Sequence, residues 1–131
     1  MFGAETQEYP SSIENEGILL NFQDNRATMA YGIEAFKARN PLAWPRFATR
    51  QEVEGLPPTV VSVNERDPLR DEGVAFYRLL MDSGVSARCR QMIGACHGIE
   101  LLPGVCPDIA RSTAIDIADF AITSGGFKQQ S

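Results

Sequence analysis

Two residues offer the most direct chemistry in this sequence, Asp67 and His97. His97 is the single histidine of the chain and stands between Cys96 and Gly98. A neutral imidazole, with an ordinary pKa of about 6.5, is the usual general base at neutral pH. Asp67 lies about 30 residues upstream, in the polar string Asn64-Glu65-Arg66-Asp67-Pro68. An aspartate that accepts the Nδ1–H bond of a histidine fixes the ring's tautomer and stabilises the imidazolium. Each residue also has a plainer reading. Asp67 could serve only as the cap of a helix starting at Leu69–Arg70, with Pro68 in its first position. His97 could do no more than hydrogen-bond its own loop. Asp71 and Glu72 suit a helix N-terminus on dipole grounds.

The surrounding elements decide whether the two residues can meet. Thr59-Val60-Val61-Ser62-Val63 is a β-branched run just after Pro57-Pro58, and it predicts a buried strand. A helix follows from Asp71 to about Asp82, with Val74, Tyr77, Leu80 and Met81 along one stripe. Gly84 ends it. Val85–Ile93 reads as a second strand, and Gly94-Ala95-Cys96-His97-Gly98 as the loop beyond it. The last helix runs over Asp108–Ile122, with Ile109, Ala110, Thr113, Ile117, Phe120 and Ala121 as its apolar face. Strand, helix, strand, helix predicts an α/β fold, with parallel strands and covering helices. Ligands of such sheets sit at the carboxyl ends of the strands, where both Asp67 and His97 fall. Neighbouring parallel strands are roughly 5 Å apart, so residues just past their ends can touch.

The chain divides into an irregular and helical connecting segment (1–58), a βαβα part (59–123) and a Gly/Ser/Gln-rich tail (124–131). Within the first segment, residues 1–23 read mostly as loop. Asp24 or Asn25 could cap a helix over about Arg26–Lys37, with Met29, Ile33 and Phe36 at helical spacing. Asn40-Pro41 ends that helix. Residues 41–58 hold four prolines and read as extended, with one helical turn about Arg50–Glu54.

Composition narrows the function classes. A chain of 131 residues is one domain or a piece of one. Hydrophobic residues at 44% and charged residues at 22% argue against disorder along the whole chain. A net charge of −5 with no run of Lys or Arg argues against nucleic acid or an anionic membrane as partner. Three cysteines (Cys89, Cys96, Cys106) without a CxxC pair, and one histidine, argue against a zinc site. They fit reduced thiols in the cytoplasm. The start MFGAETQEYPSS lacks the pattern of a signal peptide, and no apolar run approaches the roughly 20 residues of a membrane span.

The string from Leu56 to Gly73, LPPTVVSVNERDPLRDEG, resembles the acid-bearing segment of the hormone-sensitive-lipase family of α/β-hydrolases. Asn40-Pro41-Leu42-Ala43-Trp44-Pro45 and Pro10–Gly17 resemble segments of the same family, so the likeness runs from about Tyr9 to Ala121. The resemblance implies the C-terminal part of an α/β-hydrolase fold. It makes Asp67 the triad acid and His97, before Gly98, the triad histidine. It also implies ester hydrolysis without metal or organic cofactor, a small-molecule ester as substrate, and a homo-oligomer formed through Val85–Ile93 and the last helix. Ile99-Glu100-Leu101-Leu102 departs from the aromatic residue that often follows the family's histidine.

The serine nucleophile is not recognisable in this sequence. No G-x-S-x-G elbow occurs, and neither does the family's His-Gly-Gly oxyanion segment. Ser124 precedes Gly125-Gly126 but lacks the glycine two positions before it. Cys96 is a weak substitute, since residues adjacent in sequence, such as Cys96 and His97, usually point apart. The expectation is a C-terminal portion that supplies Asp67 and His97, is inactive alone, and needs an N-terminal half from the same or a separate chain. The half-sheet would then offer exposed strand edges to that half or to another copy. The rival expectation is a non-catalytic oligomerisation or binding module derived from a hydrolase. Trp44 and Phe47 either line an apolar pocket or pack, and Glu65 and Arg66 read as surface loop charges.

Overall fold

The computed structural model describes residues 9–20 and 32–124. They belong to two compact units, Met1–His97 and Gly98–Ser131. The first unit opens with helix α1 (Ser11–Glu14), helix α2 (Ile33–Lys37), a 3-10 turn (Pro45–Phe47) and helix α3 (Arg50–Val53). Strand β1 (Thr59–Arg66), helix α4 (Arg70–Asp82) and strand β2 (Ala87–Cys96) follow. The strands pair in parallel, from Thr59 opposite Ala87 to Asn64 opposite Met92, and α4 is the crossover between them. The expected βαβ order therefore stands. Of the helix expected before Asn40, the described part is α2, while Asp24, Asn25 and Met29 lie outside the described residues.

Val53, Leu80 and Val85 form a core cluster, with Ala48, Val61, Phe76, Leu79 and Ala87 packed around them. The stripe of α4 differs from the expected one. Met81 is 49% exposed, and Phe76 and Leu79 join Leu80 on the core side instead. Residues spaced i, i+3, i+4 share one helix face, and 76, 79 and 80 have that spacing. The helix ends in a Schellman motif: Val85 N–H bonds Leu80 C=O, Gly84 N–H bonds Met81 C=O, and Gly84 takes φ +77°. Gly73 marks a close approach of α4 to β1, where an added Cβ would stand 2.5 Å from Val63 Cγ1.

Both strands run further toward the site than the residue pattern predicts. β1 continues through Asn64, Glu65 and Arg66, which read as loop, and β2 continues through Gly94, Ala95 and Cys96. β2 also starts two residues later than expected, at Ala87. The extension pairs Arg66 with Cys96 across an irregularity in the ladder. A further difference is α1, a helical turn in a segment expected to be loop.

The second unit holds a 3-10 turn (Ile99–Leu101) and helix α5 (Pro107–Ser124). No residue of α5 is buried, and Ile117, expected on its apolar face, is 65% exposed. No described helix is long and apolar enough to cross a membrane.

Candidate active site

The pairing of β1 with β2 brings the residues just past their ends together. His97 Nδ1 lies 2.9 Å from Asp67 Oδ2. Asp67 is buried, whereas the His97 side chain is 41% exposed. A carboxylate against Nδ1 favours the tautomer with its proton there, which leaves the basic lone pair on Nε2. Asp67 also has the role that its plainer reading gave it. Its Oδ1 accepts the Leu69 N–H at 2.8 Å, which orients the carboxylate at the start of α4.

A segment far away in sequence holds the Asp67 turn from outside. Ser11 is fully buried, and its hydroxyl donates to Pro68 C=O at 3.0 Å. The Ser11 amide donates to Asp71 Oδ2 at 2.8 Å, and the Asp71 amide donates back to Ser11 Oγ at 3.1 Å. Asn15, also buried, directs its amide nitrogen at the carbonyls of Glu65 and Asp67. Arg70 completes the brace with bonds to Asp71, Glu14 and the Glu65 carbonyl. Local periodicity could not reveal these roles. The only sequence signal was the family-like string Pro10–Gly17.

Charge balance in this brace has a consequence for acid stability. Partial burial pushes the Asp71 carboxyl up, but hydrogen bonds from Arg70 and from the Ser11 amide outweigh it and hold it below its usual 3.8. A carboxylate lowered by folding stabilises the fold above its unfolded pKa, and that stability is lost as pH falls through the folded value. Asp71 therefore contributes fully above pH 3.8, and its contribution fades below it. Urea midpoints measured down that window should fall more steeply for the wild type than for Asp71→Asn. Parallel curves would show that Asp71 carries no net stabilisation.

The remaining candidates fall elsewhere. Glu65 is not a free surface charge, because its carboxylate accepts the Gly94 N–H at 2.7 Å. Trp44 and Phe47 pack edge-on against Phe36, with ring centroids 5.4 and 5.8 Å apart. Arg46 lies over Phe47 and Tyr9 and pairs with Glu72. Cys96 belongs to β2, opposite Arg66. Among the described residues, positive φ outside glycine occurs at Leu19 and Arg39, so Cys96 lacks the strained turn of a nucleophile elbow.

Comparison with known proteins agrees with this architecture. The family described as alpha/beta hydrolase fold matches residues 2–101. Esterase Est22, solved with p-nitrophenol, superposes with a TM-score of 0.85 at 57% identity, over 92% of this chain and 35% of that one. Brefeldin A esterase, a bacterial homologue of human hormone-sensitive lipase, superposes at 0.80 and 43% identity, over 88% of this chain and 32% of that one. Lipase 2 of Moraxella sp. (strain TA144) is 32% identical over 116 residues, 87% of this chain and 26% of its own length. The chain thus spans about a third or less of these three relatives.

Proposed function

This chain belongs to the α/β-hydrolase family, and from that premise we propose that it is the acid-and-base portion of a carboxylic ester hydrolase. The observation that carries the reading is the 2.9 Å contact between His97 Nδ1 and the buried Asp67 carboxylate at the ends of two parallel strands. In this reading Asp67 is the triad acid and His97 the general base. The serine and the oxyanion donors come from an N-terminal part, in the same or a separate chain.

The steps follow from the tautomer. Nε2 takes the serine hydroxyl proton as Oγ attacks the ester carbonyl carbon. The tetrahedral intermediate collapses, the C–O bond to the alcohol breaks, and His97 gives its proton to the departing oxygen. Water then attacks the acyl-serine, with Nε2 taking a proton from it, and the acid leaves as serine regains its proton. Asp67 keeps the ring oriented and stabilises the imidazolium between these transfers. The substrate class, a small or medium acyl ester, is what the family resemblance implies.

The test is a fusion of this chain behind an N-terminal part that contains His-Gly-Gly and G-x-S-x-G, taken from an esterase relative. Hydrolysis of p-nitrophenyl butyrate by a folded fusion is the expected result. The absence of a G-x-S-x-G pentapeptide here favours a second reading, a non-catalytic module derived from a hydrolase. A folded but inactive fusion would select that reading.

A further inference from the structure

We infer that Asn64 and Glu65 are positioning residues for His97, acting through the backbone of β2. The inference rests on reading Asp67 and His97 as a triad pair. Asn64 stands opposite Met92 and Arg66 opposite Cys96, so β2 carries two surplus residues between Met92 and Cys96, just upstream of His97. Gly94, within that surplus, takes φ +78°. A bulge of this kind takes backbone groups out of the ladder and re-aims the chain that follows. Backbone groups taken out of the ladder then need other partners.

Two consecutive side chains of β1 supply such partners. Glu65 Oε2 accepts the Gly94 N–H at 2.7 Å, and Asn64 Nδ2 donates to the Cys96 carbonyl at 2.9 Å. That carbonyl belongs to the peptide that joins Cys96 to His97, so Asn64 holds the plane from which His97 departs. Asn64 is 3% exposed, a depth at which an amide is retained only with its hydrogen bonds made. Glu65 fixes the bulge and Asn64 fixes its exit. Together they hold His97 where Nδ1 meets Asp67, and misplacement of a catalytic group by about 1 Å can cost on the order of 100-fold in rate.

His97 is the only histidine, so its ring can be read without ambiguity in long-range proton–nitrogen spectra of the full chain. The spectra are taken at about pH 8, above the ordinary imidazole range. The wild type should give one ring pattern with the proton on Nδ1. Glu65→Ala should lose that pattern for the tautomer mixture of a mobile imidazole. Glu65→Gln should retain it, because its amide oxygen still accepts the Gly94 N–H. Asn64→Asp, equal in shape but without the donor, should lose it while the backbone amide spectrum stays dispersed. If Asn64→Asp does not fold, the two Glu65 variants decide. A wild-type pattern in Glu65→Ala, or its loss in Glu65→Gln, overturns the inference. A wild-type ring without a proton on Nδ1 overturns the triad reading itself, and the positioning role falls with it.

Discussion

Asp67→Asn in an esterase assembled around this chain should lower kcat by on the order of 10⁴-fold and leave KM nearly unchanged. Asparagine keeps the shape of aspartate, and its oxygen can still accept the Leu69 N–H that Oδ1 accepts in the wild type. The turn should therefore survive. What changes is the atom facing His97 Nδ1, now 2.9 Å from a carboxylate oxygen. An amide nitrogen there is a donor, so the ring must offer it a lone pair and carry its proton on Nε2. That tautomer cannot take the serine proton. The ester-binding surfaces are untouched, which places the loss in kcat. Steady-state kinetics on p-nitrophenyl butyrate check it, and a kcat within tenfold of wild type would remove Asp67 from the triad.

The second large effect concerns stability. Leu80→Ala should destabilise the fold by roughly 2–5 kcal/mol. Leu80 is completely buried and clusters with the buried Val53 and Val85. Domains of this size are stable by about 5–15 kcal/mol in total, so the loss is a large share of that stability. Met81→Ala, one residue on at a half-exposed site, should shift stability by no more than about 0.5 kcal/mol. Urea unfolding of the two variants side by side tests the assignment of the helix face. Equal losses would mean that α4 packs on a different stripe.

The two effects mark what the sequence could and could not convey. β-branched Thr59–Val63 and the helix behind it were legible because burial imposes a period on residue type. The juxtaposition of Asp67 and His97 was legible because strand–helix–strand order dictates a parallel pair. The ends of both strands were not. Asn64 and Glu65 have the polarity of a loop, yet their side chains bond to the backbone of a bulged neighbour, a demand that exists only once β2 is in place. Ser11 was hidden for a similar reason. A buried serine bonded to Pro68 and Asp71 has no periodic signature, and its partners lie 57 and 60 positions away. Met81 misled because its spacing fits a broad stripe, whereas packing selected a narrower one through Phe76, Leu79 and Leu80.

In the proposed function this chain holds the acid and the base of an ester hydrolase, and the nucleophile comes from elsewhere. Hydrolysis of p-nitrophenyl butyrate by the purified chain and by the fusion, each beside its His97→Ala variant, tests both halves of that claim together. The chain alone is expected to do no better than its own variant, while the fusion is active and loses that activity with His97. Turnover by the chain alone that disappears in His97→Ala would reveal a nucleophile within these 131 residues and contradict the account. Activity of the fusion that survives His97→Ala would contradict it from the other side.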